Sequence, residues 1–284
     1  MEKKRDASSW KWRALAIGAV VLAAYVWLSH TGSEADVSVG SAINPAHLIS
    51  LMGAAVYDVD AYKFNVSFVD RVYGTNQGGY VNAVMGVQTK GVANVKTRWL
   101  ASDVLTGMLW FEGNTSSDQE KNITIYVIDN SMYSKPQDIW FKQNITPKKL
   151  IWNNLTHPQQ HFNLLKGSEM NISGPTYVGG HTVWVVDAKP RKEAVMGYLE
   201  QATSGGGIGG SVEGAQTIRD VRLWMWVDAE RNLPLRSDIM VQFVDGDVTS
   251  QAEVITDLFD YGGLGAITVP PEVEDAIEDP SEIN

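Results

Sequence analysis

Tyr62-Lys-Phe-Asn-Val-Ser-Phe-Val69 decides the fold class, because its apolar and polar residues alternate strictly. Tyr62, Phe64, Val66 and Phe68 fall on one side of an extended chain, and Lys63, Asn65 and Ser67 fall on the other. From Ala61 onward this period of two recurs. Strands are expected at Gly79–Thr89, Ala93–Ala101, Leu105–Phe111, Asn122–Ile128, Ile139–Gln143, Glu169–Ile172, Thr182–Asp187, Thr217–Asp228, Leu235–Val244 and Thr249–Phe259. Turns rich in Gly, Asn and Asp separate most of them. Ten or eleven strands with few helical interruptions predict a mainly β (α+β) fold. Its form would be a curved antiparallel sheet, or half-barrel, with helices on the concave side. No repeat of twenty to fifty residues is present, which excludes a solenoid or propeller.

Two helices are expected. Asn44-Pro45 supplies a capping side chain followed by Pro at the first helical position, opening a helix to about Val56. Arg191–Ala202 is amphipathic, with Val195, Met196, Tyr198, Leu199 and Ala202 on its apolar side. Thr203–Gly214 follows with six glycines, so this helix reads either as a tethered lid or as a permanently docked element.

Upstream of the sheet lies Ala14–Leu28, fifteen residues without a charge, extended by His30, Thr31 and Gly32 toward the ~20 residues of a membrane-spanning helix. Lys3, Lys4, Arg5, Lys11 and Arg13 precede it, which keeps residues 1–13 cytoplasmic. The organisation read from this is a basic segment 1–13, a transmembrane signal anchor 14–32 and a linker 33–43. A β domain 44–270 and an acidic tail 271–284 follow. A cleaved signal peptide ending near Ser33-Glu34-Ala35 is the alternative, and both export the domain.

The 284 residues carry 23 Lys and Arg against 33 Asp and Glu. Five basic and two acidic residues lie in 1–13, leaving 18 basic and 31 acidic in the exported part. A domain this acidic repels phosphate backbones, so no nucleic-acid partner is expected. The chain has no cysteine, which excludes disulfides, thiolate nucleophiles, Cys-bound metals and a lipidated cysteine anchor.

Asn-x-Ser/Thr occurs at Asn65, Asn114, Asn122, Asn144, Asn154 and Asn171, where composition predicts about two such triplets. All six follow the apolar segment, and Asn65 and Asn122 fall on the polar sides of their strands. They are glycosylation candidates in an exported chain. A loop-rich β protein in which Asn and Thr are simply abundant is the other reading.

Enzymatic patterns are weak. Gly205-x-Gly207-x-x-Gly210 follows a helix and opens none, which does not fit a nucleotide loop. His157-Pro-Gln-Gln-His161 has the i, i+4 spacing of a zinc helix but Pro158 in place of the glutamate base. It reads as two histidines on a polar segment, and no metal or cofactor is called for. No Gly-x-Ser-x-Gly elbow exists, and the pairs Asp257/Asp260 and Asp245/Asp247 sit at strand ends and turns. In Arg222-Leu-Trp-Met-Trp-Val-Asp228, Trp224 and Trp226 face one way and Leu223, Met225 and Val227 the other. That strand is expected to be covered on both sides, with a carbohydrate platform on the Trp pair as the lesser reading.

The order of these signals resembles the LolA-like lipoprotein-carrier superfamily, which includes bacterial lipoprotein-sorting carriers, mycobacterial glycolipid carriers and a periplasmic sigma-factor regulator. It is nearest to archaeal relatives. The matching pieces run from the capped helix at Asn44 through Tyr62–Val69, Met132-Tyr133, Trp140 and Gly180-His-Thr-Val-Trp-Val-Val186. Trp226-Val-Asp228 with Leu233-Pro-Leu-Arg236, Phe259-Asp-Tyr261 and Ile267-Thr-Val-Pro-Pro-Glu272 complete the order. The resemblance implies a half-barrel with an apolar pocket for acyl chains, and no enzymatic activity. The lipobox cysteine is absent, so residues 14–32 would be the anchor. On this basis Tyr62, Phe64, Val66, Phe68, Ile125 and Val127 are expected to wall the pocket, with Met196, Tyr198 and Leu199 on the lid. The expected partners are the membrane, a lipid or acyl ligand, and an envelope protein. An envelope interaction module without an exchangeable ligand, and a glycan-binding or glycan-acting surface protein, are the competing functions.

Overall fold

Asn44 accepts a hydrogen bond from the Ala46 amide at 2.8 Å, and Pro45 occupies the first turn. Helix α1 (Pro45–Tyr57) therefore starts where the sequence places it. Its buried residues, Leu48, Met52 and Val56, recur every fourth position. Gly53 lies on the same helix because the Phe162 ring comes against it: a Cβ there would sit 3.0 Å from the ring. The computed structural model describes residues 43–76, 79–112, 115–136, 138–144, 157–204, 217–264 and 267–278. The anchor candidate 14–32 and the glycine tract from 205 lie outside the described residues, as do Asn114 and Asn154. Among the described residues no helix is long and apolar enough to cross a membrane.

After α1 the chain runs as β1 (Ala61–Asn76), β2 (Gly79–Asn94), β3 (Trp99–Glu112), β4 (Thr115–Ile128), β5 (Ser131–Lys135) and β6 (Phe141–Asn144). Helix α2 (Pro158–Leu165), β7 (Glu169–Val178), β8 (His181–Lys189) and helix α3 (Lys192–Ser204) follow. The chain closes with β9 (Thr217–Asp228), β10 (Pro234–Asp245), β11 (Val248–Phe259), a 3-10 turn (Pro271–Asp275) and β12 (Ile277–Glu278). One sheet holds all twelve strands in the order β12-β6-β5-β4-β3-β2-β1-β11-β10-β9-β8-β7. Two meanders, β1 to β6 and β7 to β11, are therefore joined by the antiparallel pair β1/β11, with Phe64 opposite Leu258 and Phe68 opposite Val254. Among the described residues, only β12/β6 is parallel. The result is the open, curved antiparallel sheet expected, with helices on one face.

Two expectations about elements are corrected. Ala93–Ala101 is not a strand: Val95–Arg98 is the turn between β2 and β3. The Asn94 side chain accepts from the Thr97 amide at 2.9 Å, and Arg98 takes a left-handed φ of 55°. The polar segment at His157 is helix α2, started by His157 itself, whose Nδ1 accepts from the Gln159 amide. At the other end of the chain, Val273 is buried and Ile277–Glu278 pair with Phe141–Lys142. The sheet thus takes in part of the segment read as an acidic tail.

Cross-strand pairing fixes which residues share a face, since paired residues of neighbouring strands point the same way. One row runs Val66, Thr89, Val104, Ile123 toward β4 and Val66, Thr256, Ser237, Met225 toward β9. This face, which the helices cover, contains the core. The opposite face carries Lys63, Asn65, Lys90, Asp103 and Asp257.

Candidate functional site

The core face is largely apolar, with Ser102 and the Ser250–Asp70 hydrogen bond at 2.6 Å among its polar interruptions. Ser237 on β10 and Thr256 on β11 are register partners, and both are buried. Helix α2 brings His161 onto them, with Nδ1 2.7 Å from the Ser237 Oγ. Helix α3 brings Tyr198, whose ring meets that of His161 edge-on at 5.9 Å. Four polar side chains from two helices and two strands therefore converge beneath the helices, and His161 and Thr256 have no solvent exposure at all.

Their hydrogen bonding is incomplete. The Tyr198 hydroxyl and Thr256 Oγ1 are buried without a hydrogen-bond partner of normal geometry. Burial pushes the Tyr198 phenol well above its ordinary pKa, and Thr256 offsets a part of that. A Ser–His pair is chemically a nucleophile with its base, yet this one is closed off from water and ties α2 to β10. Among the described residues no group of three His, Asp or Glu side chains is placed to hold a metal.

All nine residues expected to form the wall and lid lie on this face or on the helix above it. Tyr62, Phe64, Val66, Phe68, Val127, Tyr198 and Leu199 are buried, while Ile125 and Met196 are half-buried at the margin. Cross-strand pairing places Val127 two strands from Ala93, the partner of Tyr62, and Ile125 in the row of Phe64. The apolar face continues past the buried core onto β2, β4 and β5 through Met85, Ile123, Ile125 and Met132, which remain partly exposed. Ser237 and Thr256 escaped the sequence reading, and His161, read there as one of two histidines on a polar segment, is instead fully buried. The one available signal was Ser237 and Thr256 at inward positions of otherwise apolar strands.

The opposite face has a different chemistry. Trp224 and Trp226 are half-buried there, beneath the guanidinium groups of Arg222 and Arg236 at 4.4 and 5.7 Å from the ring centres. Arg222 pairs with Asp187 at 2.8 Å and Arg236 with Asp257 at 3.2 Å. The expected cover on both sides of β9 is corrected accordingly: arginines cap the Trp side, and no second layer is described there. Beside this strip lies a shallow depression of about 620 Å³ lined by Asn65, Lys90, Asp103, Thr124, Tyr126 and Asp257. Its floor is Gly91, where a Cβ would sit 2.3 Å from the Ala101 carbonyl oxygen and 2.8 Å from the Phe64 ring. Asn65, Asn122, Asn144 and Asn171 are all exposed, and their register places them on this face.

The Val-Asp…Leu-Pro-Leu-Arg step is a hairpin device. Asp228 is buried and accepts from the Glu230 and Arg231 amides at 2.9 and 2.8 Å. Asn232 takes a left-handed φ of 57°, and the Asp228 amide donates to Leu233. Tyr261, from the Phe-Asp-Tyr piece, donates its hydroxyl to the Pro234 carbonyl.

No family model and no curated protein matches the chain. Solved structures that it is similar to include LprF from Mycobacterium bovis, at 13% identity and a TM-score of 0.42, covering 81% of this chain and 99% of that one. Another is the MucA/MucB complex of Pseudomonas aeruginosa, at 13% identity and a TM-score of 0.31, covering 81% of this chain and 62% of the other. A third is a LolA superfamily protein from Nitrosomonas europaea, at 9% identity and a TM-score of 0.23, covering 82% and 97%.

Proposed function

We propose that the chain is an exported, membrane-tethered domain of LolA-like kind that binds a lipid or acyl chain on its helix-covered face without covalent chemistry. The observation that carries this reading is the continuation of the apolar face beyond the core. Ile123, Ile125 and Met132 leave a partly exposed apolar margin on β4 and β5, where hydrocarbon enters against the sheet. Burial of apolar surface, worth about 25 cal/mol per Å², drives binding. Tyr62, Phe64, Val66, Phe68, Ile125 and Val127 form the wall, and Met196, Tyr198 and Leu199 the cover. The basic residues before Ala14 and the uncharged run after it support an anchor with the domain outside the cell.

The test is extraction of organics from the full chain purified in amphipol, followed by lipid mass spectrometry and titration with an apolar fluorophore. Co-purified acyl lipid that displaces the fluorophore is the expected result. Absence of both lipid and fluorophore binding overturns the reading. One observation favours a second reading, an envelope interaction module with no exchangeable ligand: seven of the nine wall and cover residues are already buried by the protein's own side chains.

A further inference from the structure

On the face opposite the helices, one row of cross-strand partners has Phe259 and Tyr126 at its two ends, with Lys63, Val92 and Ala101 between them. The ends are four strand spacings apart, or ~19 Å. Lys63 turns to Asp260 at 2.7 Å, which leaves the short side chains of Val92 and Ala101 as a trough between two rings. Phe259 is 43% exposed, and Tyr126 is held by the Trp140 ring, its centre 5.7 Å away. This trough is the depression of about 620 Å³, a size that suits a small ligand.

The neighbouring row, which forms its wall, is polar throughout: Asp257, Asn65, Lys90, Asp103 and Thr124. Part of its capacity is spent internally, because Asp257 pairs with Arg236 at 3.2 Å and Thr124 donates to Asp103 at 3.0 Å. The Asn65 amide and the Lys90 ammonium have no side-chain partner among the described residues. Each carboxylate keeps an oxygen able to accept. Charge is balanced, since Arg236 answers Asp257 and Lys90 stands opposite Asp103 in register. All five strands beneath the trough are paired on both sides, so their backbone offers nothing to an added peptide strand.

We infer that this depression is a saccharide-binding site and that its ligand is a neutral, multiply hydroxylated sugar. A sugar hydroxyl both donates and accepts, so it serves Asp103 and Asp257 as donor and Lys90 and Asn65 as acceptor. The C–H faces of the sugar rings pack on the aromatic rings of Phe259 and Tyr126, while the hydroxyls meet the polar row. A polyanion meets two carboxylates here, and a polycation meets Lys90. The site is separate from the lipid-binding face, because the sheet lies between them. Asn65 is a sequon residue that lines the depression, so a glycan attached to it stands at the rim and screens the site.

The test therefore uses the full chain in amphipol from a bacterial host that does not glycosylate asparagine. It is applied to an array of neutral, polyanionic and aminosugar glycans, and the strongest neutral binder is then titrated by calorimetry. Neutral glycans are expected to bind ahead of both charged classes. F259A is expected to weaken binding about tenfold by removing one stacked ring, and A101F to abolish it by filling the trough. W224A, on the neighbouring strip, is expected to leave it unchanged. Urea midpoints are measured for each variant, and if A101F fails to fold, the exposed F259A decides. Absence of any neutral binder overturns the site, as does binding that survives F259A unchanged. A preference for charged glycans, or a loss in W224A equal to that in F259A, overturns it as well.

Discussion

Ser237 Oγ lies 2.7 Å from His161 Nδ1, a contact between residues 76 positions apart and closed off from solvent. It is the polar tie between helix α2 and the sheet. S237A leaves a buried imidazole nitrogen without its partner and is expected to cost about 1–3 kcal/mol. H161A also empties a fully buried volume and is expected to cost about 2–5 kcal/mol. In urea denaturation the double variant should lose less than the two single losses combined. Strict additivity would show that the two side chains do not act as a pair.

Gly91 and Gly86 occupy the same strand in opposite circumstances. A Cβ at Gly91 meets backbone oxygen and the Phe64 ring, whereas at Gly86 the nearest atom is the Phe68 carbonyl oxygen at 4.0 Å. G91A is expected to destabilise by about 1–3 kcal/mol through overpacking. G86A is expected to be neutral or to gain up to about 1 kcal/mol, since Ala loses less conformational freedom in a strand. Urea midpoints of the two variants, compared at equal m-values, decide between this account and a general glycine effect.

Asp228 replaces two main-chain partners at the β9–β10 turn. D228A is expected to destabilise by about 1–3 kcal/mol, because it strands the Glu230 and Arg231 amides. D228N keeps an acceptor oxygen and is expected to recover most of that loss. If D228N is as unstable as D228A in thermal melts, the carboxylate charge and its contact with His181 matter more than the acceptor geometry.

Period-two alternation made most of the fold legible. Strand β9 was bounded correctly from Thr217 to Asp228, and α1 from its Asn-Pro cap, because both signals are local. The β1/β11 closure was not readable, since nothing in either strand names a partner some 190 residues away. Helix α2 was missed because its eight residues, Pro158–Leu165, include a Pro, two Gln, a His and an Asn. Its apolar face exists only once the His161 ring counts as core. The polar group under the helices was illegible for the same reason: Ser237 and Thr256 acquire meaning only when β10 and β11 lie side by side. Val66 and Phe64 were placed on the inward face by alternation alone, but the half-buried margin at Ile123 and Met132 depends on how far the helices reach.

The four described sequon asparagines, Asn65, Asn122, Asn144 and Asn171, are exposed on the face opposite the helices. A glycan there extends into solvent without disturbing the core. Expression through the secretory route of a glycosylating host, followed by glycopeptide mass spectrometry, is expected to find these positions occupied. Bare asparagine at all four, in a host that glycosylates a control protein, would remove the face from consideration as a glycan surface.

Asp238 provides a pH test. On β10 it sits opposite Trp224 and Ile255, with one carboxyl oxygen buried and without a partner. Burial, and then the nearby Glu253 charge, push its pKa up to about 6 from 3.8, against the opposing pull of Arg236. The folded state therefore holds this proton more tightly than the unfolded chain does. Its contribution to stability is complete below pH 4 and is lost as pH rises through 6. The full gap corresponds to at most about 3 kcal/mol, and solvent screening at a half-buried carboxylate reduces it to roughly 1–2 kcal/mol. Asp257 is also raised by burial and acts in the same direction. Asp187, held low by its hydrogen bonds to Arg222, acts in the opposite direction and at lower pH. Urea denaturation at intervals from pH 4 to pH 8 should show D238N gaining on the native chain as pH rises, with most of the change between pH 4 and 6.5. A constant difference across that range would mean that the Asp238 carboxyl titrates alike in the folded and unfolded chains.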